Sequence, residues 1–248
     1  MVIEPNLSRD KTPMVMTASL SLVRKSHTLR ADAKQGERRF AEFEAFISSV
    51  DAFCLSDFLP EPFVRGAQPQ YIETLEPVGV PVISTMAIQD LSIRTELCRY
   101  ITQDDYDSLH EAPKARKNDV LLTMDGGPSI GKPVFFDLDG DYAIDSHVAI
   151  LRPVGIDPRL LVYLLASPLG HVQFQQAESG ASGQTGVTEE DVRRFRFPVL
   201  ADAAIDALLH EFAQARAEIA QLVEGLRRKE EEAWAAFNQA IVARAKPR

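Results

Sequence analysis

Residue types that would indicate metal binding or redox chemistry are scarce in this chain of 248 residues. It has only two cysteines, Cys54 and Cys98, and its five histidines are scattered without a metal-ligand spacing. We therefore predict no metal site and no cofactor. The low cysteine content is typical of a reducing compartment, in which both thiols pack as small apolar side chains.

Long hydrophobic runs are also missing, and no stretch approaches the length of a membrane span. The mildly apolar stretch 13–23 follows Glu4 and Asp10 and is closed by Arg24 and Lys25, which is atypical of a signal peptide. We expect a cytoplasmic protein that does not contact a membrane.

Motifs for catalysis or nucleotide binding are incomplete. No G-x-S-x-G sequence is present, and no nucleophile stands beside a histidine in a motif context. Residues 126–132 match the beginning of a phosphate-binding loop, but Pro133 stands where that loop needs a hydroxyl for Mg²⁺. The residues after Pro133 have a strand-like pattern, whereas a phosphate-binding loop has to be followed by a helix. We interpret the glycines as a tight turn between two strands.

Three aspartates at 137, 139 and 141 alternate like calcium ligands. Tyr142 and Val148 stand where the calcium loop requires glycine and glutamate, so we exclude that site. Asp139-Gly140 instead predicts a hairpin turn between Phe135-Phe136 and the strand that begins at Tyr142.

Negative charge dominates the middle of the chain. The overall net charge is −9, and residues 51–200 carry twelve basic and twenty-two acidic side chains, a net charge of −10. Nonspecific DNA binding depends on Lys and Arg that neutralise phosphates, so the composition argues against broad nucleic-acid binding but leaves room for a local basic patch.

The chain divides into three regions with different residue patterns. Residues 1–50 are predicted as an arm followed by an amphipathic helix over about 32–50, since aromatic and aliphatic residues recur there at helical spacing. Residues 51–200 are divided by prolines into short strands and helices. The predicted strands include 80–84 with Pro81 at its edge, 99–101, 120–123, 134–136, 142–144 and 147–151. The expected fold class is α+β, a compact, curved, β-rich domain with short helices.

Helix-start signals are clear in the second half of this domain. Asp157 is expected to cap a helix that opens with Pro158, and a second helix follows over about 169–177. Thr188 and Asp191 form a capping-box pattern, and a short helix over 104–109 is expected to begin at a cap on Asp104 or Asp105.

Residues 201–248 are predicted to form one long helix, about 202–245. Ile205, Phe212, Ile219 and Leu226 are seven residues apart, which indicates a coiled-coil seam. A helix of this length needs a partner for that seam. Another helix of the same chain and a second copy of the chain both remain open.

Taken in order, these motifs resemble the specificity (S) subunits of type I restriction–modification systems and the target-recognition domains of related adenine methyltransferases. The matching segments, over about residues 28–235, are Arg30-Ala31-Asp32-Ala33, Leu55-Ser56-Asp57 with Arg65-Gly66 and Tyr71, Pro81-Val82-Ile83-Ser84-Thr85 with Ile88, Asn118 to Thr123 with Gly126-Gly127 and Ile130-Gly131-Lys132, Ser146 to Pro153, Ser167 to Gly170, Gly180 to Gln184, and Phe195-Arg196-Phe197-Pro198.

The resemblance implies a target-recognition domain over residues 51–200 and a coiled-coil spacer over 201–248. S subunits usually carry two such units and this chain holds one, so it resembles a half-length subunit or a domain split from a methyltransferase. A half-length form is expected to pair as a homodimer through its C-terminal helix. The implied partners are double-stranded DNA, an adenine methyltransferase (M) subunit and a restriction subunit. No methyltransferase motif is present, so any catalysis has to come from a partner chain.

The implied function is non-catalytic recognition of a DNA sequence, with base edges read by polar loop side chains. The candidate DNA contacts are Arg65, Gln68, Gln70, Tyr71, Lys114, Arg116, Lys117, Lys132, Ser179, Ser182, Gln184 and Thr185. Because the domain is acidic, an alternative is a protein–protein interaction module of such a system in which DNA binding is weakened or lost.

Overall fold

A computed structural model of the chain describes residues 37–73, 78–180 and 185–245. The predicted N-terminal arm and the motif at Arg30 lie outside these residues. The chain divides into two compact units, one that ends at Val199 and one that begins at Leu200. The fold class is α+β, as the sequence predicts.

The helices of the described residues are short, except for the last. They are α1 (Arg38–Ile47), α2 (Gln103–Ser108), α3 (Pro158–Ala166), α4 (Pro168–Ala177), α5 (Glu189–Arg193) and α6 (Asp202–Arg244). The strands are β1 (Ala52–Cys54), β2 (Val64–Arg65), β3 (Val80–Ile83), β4 (Ile88–Gln89), β5 (Ser92–Ile93), β6 (Arg99–Ile101), β7 (Val120–Thr123), β8 (Pro133–Phe135), β9 (Ala143–Ile144), β10 (Val148–Leu151) and β11 (Arg196–Pro198).

The strands form four small sheets. The largest is antiparallel in the order β2-β10-β7-β8, and a second has the order β6-β3-β9. Two-stranded pairs join β1 to β11 and β4 to β5. The predicted strand–loop–strand at 120–136 is confirmed, because Val120 pairs with Phe135 and Leu122 with Pro133.

The predicted hairpin at Asp139-Gly140 is wrong. Gly140 turns the chain with a φ of 101°. However, β9 does not return along β8 and pairs in parallel with β3, where Val82 faces Ala143. The reason is burial, since Ala143 joins the core around Val82 and Ile101.

Strand β3 lies at the centre of its sheet although it contains Pro81. Pro81 faces Tyr100 of β6, and pairing with β9 begins only at Val82. The missing N–H of proline is therefore tolerated, because only one neighbouring strand runs beside that residue.

The helix caps follow the sequence signals in most places. Asp157 accepts from Arg159 N, and Thr188 with Asp191 forms a complete capping box. The predicted cap of α2 is wrong, because the N-cap lies two or three residues earlier than expected. Thr102 is its N-cap, and the Thr102 hydroxyl accepts from the backbone N–H of Asp105 at 3.0 Å.

A continuous core supports the largest sheet. Leu121, Val148 and Ile150 of β7 and β10 are fully or nearly fully buried together with Phe136. On another side, Phe40 and Phe43 of α1 pack with Val172 of α4. Helix α1 ends at Ile47, three residues before the predicted end, and its predicted beginning lies in the part of the chain that is not described.

Candidate nucleic-acid interface

The loop between β7 and β8 is held in a tight shape. Gly126, Gly127 and Gly131 adopt positive φ angles of 101°, 61° and 77°, which glycine reaches without a steric cost. The Thr123 hydroxyl accepts from the backbone N–H of Lys132 at 2.9 Å and donates to the Ser129 carbonyl. The glycines therefore serve a turn between strands, as predicted.

Two other segments, residues 65–68 and 146–147, meet beside this loop. The Arg65 guanidinium at the end of β2 pairs with the Asp125 carboxylate and donates to the Ser146 carbonyl from Nε at 3.1 Å and from Nη2 at 2.6 Å. Asp125 also contacts Nδ1 of His147. The Ser146 hydroxyl donates to Oε1 of Gln68 at 3.2 Å. These side chains form a half-exposed polar network, which we call the Asp125 network.

The loop after α4 closes on the same place. Ser179 and Gly186 exchange two backbone hydrogen bonds of 3.0 and 2.9 Å, and Gly186 also pairs with Asp125. The Gly126 N–H donates to the Thr185 carbonyl at 3.4 Å. Of the four residues predicted here, Ser179 is exposed and Thr185 half-buried. Ser182 and Gln184 lie outside the described residues.

Buried groups next to the Asp125 network support it. The Asp145 carboxylate is nearly buried and accepts from the His147 backbone N–H at 2.9 Å. Burial raises the pKa of Asp145, and the hydrogen bond from His147 acts in the opposite direction. Gly66 follows Arg65 and lies very close to the backbone of Ile144. A Cβ added to Gly66 would be 2.1 Å from the Ile144 carbonyl oxygen. Only glycine fits there.

A cleft of about 440 Å³ lies between the glycine-rich loop and α4. Its lining includes Gly127, Phe174, Gln175 and Thr185. His171 also lines it, and burial, with a smaller effect of the Arg39 charge, lowers the pKa of this imidazole. The Nε2 of His171 lies 2.7 Å from Nε2 of Gln175.

Three predicted basic contacts lie on the segment that leads into β7, whereas the Asp125 network follows the end of that strand. Lys114 donates to Glu111 at 2.7 Å and Lys117 pairs with Asp139 at 2.5 Å. Arg116 is 3.7 Å from Glu111. The hydrogen bond from Lys114 lowers the pKa of Glu111, and that from Lys117 lowers the pKa of Asp139. The structure does not bring this basic segment and the network together.

The remaining predicted residues have separate surroundings. Tyr71 packs at the edge of the core below the Arg99 guanidinium, 3.6 Å from the ring centroid, and burial raises the pKa of its hydroxyl. Gln70 is exposed. Lys132 follows the glycine-rich loop, and its ammonium lies 3.4 Å from the Ser129 hydroxyl. No carboxylate among the described residues pairs with Lys132.

Asp125, the central member of the network, was not predicted from the sequence. Ser146 and His147 entered only as parts of a motif. They lie in a turn that precedes β10, and each has a different partner. A usable signal was present, because Asp125 and Ser146-His147 flank two neighbouring strands at the ends that an antiparallel pairing brings together.

Helix α6, taken by itself, exposes an apolar stripe along its length. None of its 43 residues is buried. The stripe consists of Leu208, Phe212, Ile219, Leu222, Val223, Leu226, Trp234, Phe237 and Ile241, with exposed fractions of 41–69%. Beyond Leu226 the seven-residue spacing fails, but Phe212, Val223 and Trp234 are eleven residues apart, which keeps them on one side of a straight helix.

The described residues hold no cluster of three or more His, Cys, Asp or Glu that could bind a metal ion. In the same part of the chain, no helix has an apolar stretch long enough to cross a bilayer.

Comparison with known proteins gives structural matches alone. No family model matches the sequence, and no curated protein matches it. Solved structures of type I restriction–modification proteins do resemble it. A chain from a study of complex assembly and conformational transition of the type I R-M system is 19% identical, with a TM-score of 0.47, over 89% of this chain and 53% of that one.

Two further matches are specificity subunits. The S subunit from M. genitalium is 14% identical with a TM-score of 0.48, over 74% of this chain and 45% of that one. The HsdS subunit from Thermoanaerobacter tengcongensis is 19% identical with a TM-score of 0.44, over 90% and 54%. The chain spans about half the length of these proteins.

Proposed function

We propose that this chain is a non-catalytic DNA sequence-recognition subunit of a restriction–modification or related methyltransferase system. The observation that carries the proposal is the convergence of four predicted DNA contacts. Arg65 and Gln68 come from one segment and Ser179 and Thr185 from a second one far along the chain, and all four lie around one glycine-rich loop. A surface that reads DNA needs such a group of donors and acceptors on short loops held by a rigid sheet.

The chemistry of these side chains suits base recognition. An arginine forms two hydrogen bonds with guanine, a glutamine forms two with adenine, and hydroxyls donate to or accept from several bases. The half-exposed Arg65 and the exposed Gln68 supply the first two groups. Lys132, at the end of the same loop, supplies a cation for a phosphate.

The direct test is selection of duplexes by the full chain from a random DNA library. We expect one enriched sequence, and substitution Gln68→Ala should reduce discrimination at one base by about 1–3 kcal/mol. Gln103→Ala, on α2, is the control, because it also removes an exposed amide but leaves the network intact. Enrichment of no sequence would contradict the proposal.

We also propose that two copies pair through α6. Residues 202–226 carry five acidic and one basic side chain, a net charge of −4, whereas residues 227–248 carry six basic and three acidic, a net charge of +3. An antiparallel pair places opposite charges beside each other, and a parallel pair places like charges together. The favoured dimer is therefore antiparallel.

Light scattering on the full chain and on a chain that ends at Ala201 tests this pairing. A dimer and a monomer, respectively, are expected. Leu222→Asp with Leu226→Asp should make the full chain monomeric. Gln221→Asp with Gly225→Asp, each one residue earlier and therefore about 100° around the helix from these leucines, should not. A monomeric full chain would mean that the seam has another occupant.

Catalysis is assigned to a partner M subunit. Neither the purified chain nor the selected DNA alone should yield methylated adenine. Addition of the M subunit should yield methylation of the selected sequence in preference to a random duplex. Equal methylation of both duplexes would contradict a role for this chain in target choice.

A second candidate is the acidic protein-interaction module. It is favoured by the ion pairs of the predicted cations, since Arg65, Lys114, Arg116 and Lys117 each lie beside a carboxylate. Salt dependence distinguishes the two functions. A DNA reader loses affinity steeply as salt rises, whereas a chain of the second kind shows no duplex binding at low salt.

A further inference from the structure

Arg65 is the strongest candidate for base recognition, yet its charge is already matched. Its guanidinium pairs with Asp125, and the two side chains are 39% and 31% exposed. Asp125 lies at the same time against Nδ1 of His147. One carboxylate thus occupies the two groups of the network that would approach a phosphate or a guanine.

The backbone keeps Asp125 in this position. Its main chain pairs with Gly186, and its Cβ lies 3.1 Å from where a Cβ on Gly186 would be. Arg65 is held as well, by its two bonds to the Ser146 carbonyl. A DNA phosphate that approaches Arg65 therefore meets a fixed negative charge and has to compete with it.

We propose that Asp125 is a specificity residue that acts as a built-in competitor of DNA for Arg65 and His147, an inference that rests on the proposed DNA-reading function. Random duplex offers only phosphate charge to Arg65 and is repelled by Asp125. The target sequence adds base contacts that offset the repulsion. Specificity is a difference between two affinities, and a repulsive group that penalises the wrong partner increases that difference.

The test measures binding of the full chain to a random duplex by fluorescence anisotropy over a range of salt concentrations. Asp125→Asn keeps the shape of the side chain and removes its charge. We expect about two- to fivefold tighter binding, the effect of releasing one cation from an exposed ion pair. The salt dependence should steepen by about one phosphate contact. Binding to the selected target should tighten less, so that discrimination falls.

Two variants separate this role from a change of net charge. Glu190→Gln removes one charge from another arginine pair, Glu190–Arg194, outside the network, and should leave binding unchanged. Arg65→Gln with Asp125→Asn should gain less affinity over Arg65→Gln alone than Asp125→Asn gains over the unmodified chain, because only His147 then remains for Asp125 to compete for. Asp125→Ser provides the same loss of charge if the asparagine variant is poorly folded.

The outcomes are distinct. Unchanged or weaker binding by both Asp125 variants, while the unmodified chain binds DNA, overturns the competitor role alone. Equal tightening by Asp125→Asn and Glu190→Gln assigns the effect to net charge and also overturns it. Failure of the unmodified chain and every variant to bind duplex DNA overturns the proposed function together with this inference.

Discussion

Leu121 and Leu222 are the same residue type in opposite situations. Leu121, in the compact unit that ends at Val199, is completely buried, whereas Leu222, on α6, is 69% exposed. The compact unit covers its own apolar surface with a small sheet, and the long helix, taken by itself, leaves its stripe uncovered. The compact unit therefore buries its apolar residues within itself, whereas the helix, taken by itself, does not.

The aromatic residues allow the two units to be followed separately. All five tyrosines lie between residues 71 and 163, and the only tryptophan is Trp234 on α6. Tyrosine circular dichroism therefore reports the compact unit, and tryptophan emission reports the helix.

The largest contrast is expected from truncation of the two leucines. Leu121→Ala should reduce the free energy of unfolding of the compact unit by about 3 kcal/mol, because it leaves a cavity in a closed core. Leu222→Ala should leave that quantity unchanged and weaken only self-association. Urea unfolding followed by the tyrosine signal measures the first effect, and Trp234 emission on dilution measures the second. Equal losses of unfolding free energy from Leu121→Ala and Leu222→Ala would contradict this difference between the two units.

Replacement of a glycine by alanine should have opposite effects on the stability of the two units, and both effects should be smaller than that of Leu121→Ala. Gly66→Ala would place a Cβ 2.1 Å from the Ile144 carbonyl oxygen, so we expect a loss of about 2 kcal/mol from overpacking. Gly225→Ala meets no atom within 4 Å and should stabilise α6 by about 1 kcal/mol, since alanine favours a helix. Thermal unfolding monitored by both signals checks each sign, and a neutral Gly66→Ala would show that the backbone can shift.

The helix N-caps of the two units also differ, because one has a side-chain hydrogen bond and the other does not. The Thr188 hydroxyl accepts from the Asp191 N–H at 3.1 Å, so Thr188→Ala should destabilise the compact unit by about 1 kcal/mol. Ala201 caps α6 with no side-chain bond, so Ala201→Ser should stabilise that helix by up to a similar amount. Denaturant midpoints of the two variants test the pair, and an effect of Thr188→Ala on the helix signal alone would contradict the assignment.

The smallest expected effect is chemical and leaves stability unchanged. Burial raises the pKa of the Cys98 thiol to about 11, so very little of the reactive thiolate exists at pH 8. Iodoacetamide should modify Cys98 only after unfolding, or more rapidly as the pH approaches 11. Half-buried Cys54 serves as the internal control in peptide mass spectrometry. Modification of Cys98 before Cys54 at pH 8 would show that the core opens.

Local signals accounted for much of the fold. The β7–β8 pair, the helices opened by Asp157 and Thr188, and the length of α6 follow from hydrophobic spacing, caps and glycines that act within a few residues. The incorrect predictions concern features that depend on contacts outside the local sequence pattern. Gly140 makes a turn, but burial of Ala143 against Val82 determines which strand receives β9. The α2 cap lies at Thr102, whose hydroxyl accepts from the backbone N–H of Asp105 and donates to the Asp105 carboxylate.

The candidate site divides in the same way. Arg65 and Gln68 were predicted from their polar chemistry, and the basic segment at Lys114 to Lys117 was predicted with them. Only the tertiary structure placed Arg65 against Asp125, some sixty residues later in the chain, and gave Lys117 to Asp139. Composition determined that the domain is acidic and the helix apolar along one side. Which cation meets which carboxylate depends on sheet register, and register is a property of the folded chain.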